Sequence, residues 1–462
     1  MDQQKDPKNP RTRREKEEVT RITVSGFKSI SQEQSIKIRP LTILAGANSS
    51  GKSSMMQPLL LLKQTLEETY DPGALLLYGP NVKFTSVDQL LSRRGKGKSV
   101  GSFEVGISVT SDTTLTLSFH KQAGGGIDVQ QMSFVSNGET TILRLGMTHE
   151  ELRSAFPAIR QFKDTPDEGK WVVIQDRCFL DPVFRPEQEQ LGWLFRGFLK
   201  NLDLLSRVVL EFQIRKLIHL PGLRGNPERT YPVTAVGPMF PGTFEKYVAS
   251  VIAQWQAKRN DEEIGRLSKD LEELGLTWTV TARPINDTQV ELRVGRLSRI
   301  TKGKAQDLVN ISDVGLGVSQ VLPVLVALQV AKPEQLVYLE HPELHLHPRA
   351  QFAMAQILAN AANRGVRVVA ETHSSLLLLG VQALVAEGKL APEKVKLHWF
   401  KRDDSGNTKV SSADLDEMGA FGDWPEDFAD VALEAESRYL DATGVWGKKN
   451  GYGGKRVEPP RH

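Results

Sequence analysis

The sequence predicts an α/β fold with a mixed central sheet, a β-rich lobe and an inserted helical segment, and three observations carry that prediction. An apolar run, Leu41-Thr42-Ile43-Leu44, is followed at once by a glycine-rich turn and then by a helical pattern from Lys52. Helix and strand patterns alternate from Val318 to Arg402, as in a parallel βαβ sheet. Between Gly101 and Gly146, short alternating segments are separated by Gly, Asn and Asp, as in antiparallel strands.

Taken in order, residues 1–19 are a charged stretch without the apolar core of a signal peptide, read as a mobile tail. Residues 20–90 open with three short strands, RITVSGFKSI, SIKIRP and LTILAG. The helix after them runs from Lys52 to Tyr70, with Leu59, Leu62 and Leu66 at helical spacing and Pro58 placed to kink it. Residues 91–216 hold the β-rich lobe and the helical insertion, where SFEVGISV, TLTLSF and TILRL read as strands. Trp193, Phe195 and Phe198 in the insertion suit a core better than a partner groove. Residues 217–441 supply two helices, Thr243 to Lys258 and Asp261 to Leu274, the strands WTVTARP and TQVELRVGR, and the alternating region. Residues 442–462 form a basic tail: Lys448, Lys449, Lys455, Arg456 and Arg461 face Glu458 alone, so the net positive charge of the chain resides there. A solvated terminus is its ordinary meaning.

Composition narrows the function classes. The chain has 462 residues, 39% hydrophobic and 25% charged, enough apolar material for a sizeable core. Fifty-nine Lys and Arg against 56 Asp and Glu give +3, too balanced for a protein that coats nucleic acid. A single cysteine, Cys178, excludes an intramolecular disulfide and a cysteine-based zinc knuckle and fits a reducing cytoplasm. The longest apolar stretches fall short of the ~18 residues of a spanning helix, so a soluble protein is expected. No 20 to 50 residue repeat or sustained heptad is present.

The chemistry-bearing motif is Gly46-Ala47-Asn48-Ser49-Ser50-Gly51-Lys52-Ser53, a full G-x-x-x-x-G-K-S between a strand and a helix. Glycines let successive backbone N–H groups turn toward polyphosphate, and the helix N-terminus adds positive potential. Lys52 is expected on the β- and γ-phosphates, Ser53 on Mg²⁺, and Ser54 on a phosphate oxygen. A hydrolase also needs a metal-orienting carboxylate at the end of another buried strand. Leu336 to Glu340 provides one, and Glu340 is assigned to the metal beside Ser53. The strand Val366 to Glu371 ends in Thr372-His373-Ser374, where His373 is expected to sense the γ-phosphate or the attacking water. His345 and His347 in ELHLHP, with Glu343, have the outline of a metal site. Their spacing of two alternates sides on a strand and Pro348 starts a helix, so the segment is read as a structural turn.

With these pieces in order, the chain resembles the AAA-type ATPases of the RecF, overcoming-lysogenization-defect and GajA group, whose nucleotide heads are similar to those of ABC and SMC proteins. The resemblance rests on ITVSGFKSI, GANSSGKSS, LIHLPGLRGNPER, LVNISDVGLGVSQVLPVLVAL, LVYLEHPELHLHP, VVAETHS and GDWPEDF, spanning residues 20 to 428. It implies a P-loop NTPase with an ABC/SMC-like head that binds ATP and Mg²⁺. It also places Ser312, Asp313, Gly315 and Gly317, within Ile311 to Gly317, at the signature segment that meets the γ-phosphate held by a second subunit. A homodimer or higher homo-oligomer is therefore implied, with Ser319 and Gln320 on the helix that follows. Related heads often carry a second acid directly after the first, where this chain has His341; either Glu343 polarises water or hydrolysis is slow. Arg224 and Arg229 are read as solvated loop residues or as contacts to phosphate or a partner. Nuclease-bearing members continue into a Toprim domain, of which only Asp403-Asp404 is a faint echo here. The effector is therefore expected to be a separate protein, serving DNA maintenance or anti-phage defence, with DNA as a further candidate partner and no membrane. The alternative is a nucleotide-gated binding module with negligible turnover that holds a toxin or nuclease.

Overall fold

A computed structural model describes residues 18–94, 98–109, 113–136, 138–156, 169–186, 205–297 and 307–422, together with Arg438. The two tails, the late GDWPEDF stretch beyond Gly422, and Trp193, Phe195 and Phe198 lie outside the described residues.

The fold is α/β. Its central sheet has six strands in the order Ile218–Leu220, Leu336–Glu340, Arg367–Thr372, Leu41–Gly46, Val395–Arg402, Thr408–Ala413. The first five run parallel and the last is antiparallel to its neighbour. Leu41–Gly46 is buried along its whole length, as a parallel strand covered on both faces must be. A second six-stranded sheet is antiparallel throughout: Gln34–Lys37, Val19–Ser25, Ser102–Val109, Thr114–Lys121, Ile127–Ser136, Glu139–Arg144. The first two expected strands thus join the β-rich sheet, and only the third enters the central one.

The helix Lys52–Glu67 runs through Pro58 and is buried on nearly every side. Its all-round burial follows from its place between the sheets. Met55, Leu59 and Leu62 share one core with Val105 and Leu117 of the antiparallel sheet and with Tyr338 and Phe400 of the central sheet. A second core on the opposite face of the central sheet collects the helices Val248–Ala257, Leu316–Val330, Pro348–Asn363 and Ser375–Ala386. Because the first five strands run parallel, their C-terminal ends lie along a single rim of the sheet.

The hairpin Gly169–Asp176 with Phe179–Pro186 falls in a region where the sequence reads as mixed helix and loop. Pro182 and Pro186 lie inside its second strand and suppress a strand reading, yet a two-stranded ribbon leaves free edges where their missing N–H is tolerated.

His398 ties the two sheets together. Its Nδ1 lies 2.7 Å from Ser412 Oγ, and its Nε2 lies 3.1 Å from the Lys37 amide nitrogen and 2.9 Å from the Lys37 carbonyl oxygen. Burial holds its pKa down at about 4. The neutral ring is favoured in the fold, whereas the unfolded chain takes up a proton below about 6.5. Stability is therefore fully present above that pH and is lost as pH falls toward 4, by roughly 3 kcal/mol. Urea melts between pH 7 and pH 4.5 should show a steeper loss for wild type than for His398→Gln; equal slopes would contradict this account.

Candidate functional site

The turn after Leu41–Gly46 takes its shape from two glycines. Gly46 has φ +144°, and a Cβ there would lie 2.3 Å from the Phe400 carbonyl oxygen; Gly51 has φ +105°, and its Cβ would meet Thr408 Oγ1 at 2.2 Å. Only glycine fits either position. The outer side of the turn is pinned from the two strands that follow it in the sheet: Arg402 Nε donates to Ser49 O at 2.6 Å and Thr408 Oγ1 to Ser50 O at 2.8 Å. Ala47, Asn48 and Ser49 remain exposed, while Ser50, Lys52 and Ser54 are buried.

Lys52 donates from Nζ to Gly46 O at 3.0 Å and Ala47 O at 2.9 Å, and the same nitrogen lies 3.3 Å from His373 Nε2. Burial pulls its pKa down, opposed by the charges of Glu371 and Glu343. His373 is also held below its ordinary pKa, by burial and then by Lys52, so the neutral ring is favoured and Nε2 can accept from the ammonium. The His341 ring stacks on it, centroids 4.8 Å apart.

The carboxylates are arranged differently from expectation. Ser53 Oγ donates to Glu371 Oε2 at 2.8 Å, not to Glu340, which the sequence reading paired with it. Topology is the reason: the strand ending in Glu371 is the direct neighbour of the phosphate-loop strand, with Thr372 opposite Ala45, whereas the strand ending in Glu340 is one place further out. Glu340 is held instead by the Gly222 amide at 3.0 Å and by His219 Nε2 at 3.3 Å. Burial works against its charge, but these contacts prevail and its pKa is lowered. Glu371 also accepts from the Tyr338 hydroxyl. Burial first, and then the charge of Glu340, push its pKa up to about 7. Two acids on neighbouring strands that repel each other in this way suit a cation.

Glu343 belongs to the same cluster. Its Oε1 accepts from Thr372 Oγ1 at 2.7 Å and from the His373 amide at 3.3 Å, while Oε2 is buried without a partner. Burial would raise its pKa; contacts from His341 and Thr372 outweigh that and lower it, leaving an ionised group with one free acceptor oxygen. Ser50 Oγ is likewise buried and unpartnered. These orphaned atoms, with the Ser53–Glu371 pair, fit a polyphosphate and a hard divalent cation bound through oxygen. His347 caps the helix Pro348–Asn363, its side chain accepting from the Arg349 amide, a structural use of that histidine.

The structure thus brings Lys52, Ser53, Glu343 and His373 together, adds Glu371 and Tyr338, and leaves Glu340 at the rim. Glu371 is absent from the residues the sequence singles out, although its signal, an apolar strand ending in an acid, is the same pattern that marks Glu340. The segment Ile311–Asp313 and the helix start at Gly315 stand apart, with no hydrogen bond or ion pair to residues 46–54 among the described residues. Nothing lies within 4 Å of a Cβ built on Gly315, and Leu316 beside it is exposed. Asp313 pairs with Arg229 at 2.7 Å, an exposed contact that contributes little to stability. Of the two readings of Arg224, the solvated loop residue is the one the structure overturns. It is 5% exposed and donates to Gln320 O at 3.0 Å, Glu340 O at 2.7 Å and His341 O at 3.2 Å, joining the start of the helix Leu316–Val330 to the end of the Glu340 strand. No described helix is long and apolar enough to cross a membrane.

A family profile described as an AAA domain, putative AbiEii toxin of a type IV toxin–antitoxin system, matches residues 179–379. The match begins after the phosphate loop and takes in the signature-like segment, Glu340, Glu343, Glu371 and His373. No curated protein matches the chain. Among solved structures, an Smc head bound to the C-terminal winged-helix domain of ScpA is 13% identical, covering 87% of this chain and 98% of that one at a TM-score of 0.47. The SMC head domain of Thermotoga maritima is 10% identical, covering 85% and 98%, at 0.39. The Pyrococcus furiosus Smc head with an extended coiled coil, bound to the C-terminal domain of ScpA, is 12% identical, covering 92% and 99%, at 0.44. Over residues 179–379, then, the chain is similar to AAA domains.

Proposed function

We propose that this protein is a Mg²⁺-dependent ATP-binding and ATP-hydrolysing switch of the ABC/SMC/RecF kind. The observation that carries the reading is the meeting of Lys52, the Ser53–Glu371 pair and Glu343 with His373 around one glycine-shaped turn. Lys52 and the loop amides bind the phosphates; Ser53 and Glu371, with Glu340 alongside, hold the magnesium ion, which supplies charge neutralisation on the phosphates. Glu343 Oε2 accepts a proton from the attacking water, and His373 orients that water or the γ-phosphate.

The helix start at Gly315, open on its outer side and without a hydrogen bond to the loop of its own chain among the described residues, supports an ATP sandwiched between two copies. In that arrangement Ser312, Asp313, Gly315 and Gly317 face nucleotide held by the partner copy. Joining and release of the two heads then change the state of a separate effector in DNA maintenance or anti-phage defence, with DNA as a further partner, in the reducing interior of the cell. Glu343→Gln is expected to bind ATP but turn it over slowly, so light scattering with Mg²⁺ and ATP should show its mass doubling. A mass that stays that of one chain sinks the shared site.

One observation favours a second reading, a nucleotide-gated binding module with negligible turnover. His341, in the place where an acid is expected, stacks on His373 and approaches Glu343, so the Glu343 carboxylate is partly engaged. Turnover below about 0.01 per second with tight ATP binding would decide for it.

A further inference from the structure

The short strand Ile218–Leu220 pairs with Leu336–Glu340 and is buried throughout, yet its middle residue is a histidine. His219 is 1% exposed, and an imidazole so buried is tolerated where both ring nitrogens find partners. Nδ1 lies 3.1 Å from Asn81 Oδ1 and Nε2 lies 3.3 Å from Glu340 Oε1, while the ring stacks on Tyr338, centroids 5.4 Å apart and planes 11° from parallel. The ring is thus fixed at both ends and across its face. An ionised carboxylate only accepts hydrogen bonds, so the Glu340 contact needs the ring proton on Nε2. In the neutral ring Nδ1 is then an acceptor, and the Asn81 amide meets it by presenting its nitrogen. With the oxygen toward the ring, that nitrogen is buried without a partner, which the turned amide relieves.

Asn81 is itself held from the phosphate-loop helix. Gln64, 1% exposed on Lys52–Glu67, accepts at Oε1 from the Asn81 and Val82 amides at 3.2 and 3.0 Å and donates from Nε2 to Leu76 O at 2.6 Å. One line of polar contacts therefore runs from the helix that carries Lys52 and Ser53, through Asn81 and His219, to Glu340. At its end Glu340 Oε1 is held by His219 and Oε2 by the Gly222 amide. A carboxylate held at both oxygens keeps one orientation, and its remaining lone pairs are presented to a cation without rearrangement.

We infer that His219 is a positioning residue: it holds Glu340 in the orientation in which that carboxylate serves the magnesium ion of a bound nucleotide, and Asn81 sets the ring. The inference rests on the nucleotide reading above.

Equilibrium binding of ATPγS to the full chain, measured by calorimetry in Mg²⁺ and again in EDTA, tests it. Wild type is expected to bind more tightly in Mg²⁺. His219→Asn keeps a polar group near the Nδ1 position and loses the donor at Nε2. Binding in Mg²⁺ should weaken by about 10- to 100-fold, the usual cost of removing a group that orients a metal ligand, while binding in EDTA stays as in wild type. His219→Gln carries an amide N–H to the Nε2 position and should recover most of the loss, a rescue that a merely space-filling histidine would not show. Should His219→Asn fold poorly, Asn81→Leu, a half-buried change of similar volume that frees the ring, should weaken binding in the same sense, by less and in Mg²⁺ alone. A folded His219→Asn or Asn81→Leu protein that gains as much from Mg²⁺ as wild type, or that loses equally in Mg²⁺ and EDTA, overturns the inference and leaves the nucleotide reading standing. A wild type that gains nothing from Mg²⁺ sinks that reading and the inference with it.

Discussion

Lys52→Ala is expected to abolish saturable ATP binding at micromolar nucleotide and to lower turnover by at least about 10²–10³-fold, the loss that follows removal of one preorganised charge donor from an enclosed site. The side chain is 5% exposed, and its ammonium is held by the Gly46 and Ala47 carbonyls of the very turn that faces the phosphates. Its remaining donor faces His373 Nε2, the contact that gives way when a polyanion arrives. The variant also leaves two carbonyls without their donor, so the control is a thermal melt in the absence of nucleotide. A melt close to wild type with binding gone assigns the effect to phosphate recognition. ATP turnover at the wild-type rate in a folded Lys52→Ala protein would remove the nucleotide reading altogether.

Much of this arrangement was legible in the sequence because each element is signalled locally. Strand, glycine turn and helix follow one another without a gap from Leu41 to Leu66, and the alternation from Val318 to Arg402 gives the parallel strands in order. Long-range relations were not legible. The runs from Arg21 to Ile30 and from Ser35 to Pro40 read as strands, and nothing in their alternation says that Val19–Ser25 pairs with Ser102–Val109, with Gln34–Lys37 on its other edge, in a sheet apart from the phosphate-loop strand. Strand order matters most at the site. Glu340 and Glu371 both end apolar strands, and which of them reaches Ser53 depends on which strand lies next to Leu41–Gly46.

Arg224 illustrates the same limit from the other side. A Gly-Leu-Arg-Gly-Asn-Pro segment reads as exposed loop, and Leu223 is indeed 89% exposed, yet the next side chain is buried against three carbonyls from two different elements. A buried arginine of this kind is specified by backbone groups brought in by tertiary packing, which leave no trace in local composition.

Glu371→Gln is the most informative change at the metal side. The amide is nearly isosteric and can keep contacts to Tyr338 and Ser53, so the fold should melt no lower than wild type; removing a buried acid that is repelled by Glu340 also removes a source of strain. What the amide cannot do is ionise. If Ser53 and Glu371 hold the magnesium ion, Mg²⁺-dependent turnover should fall by about 10²–10³-fold, while ATP binding in the presence of a chelator changes little. Tyr338→Phe, which leaves the carboxylate in place without its hydroxyl partner, should fall in between. Glu340→Gln relieves the repulsion on Glu371 and removes one of the two charges, so its loss separates the pair from a single dominant carboxylate. Wild-type turnover in Glu371→Gln with a strong loss in Glu340→Gln would return the metal to Glu340 and make the Ser53–Glu371 contact purely structural.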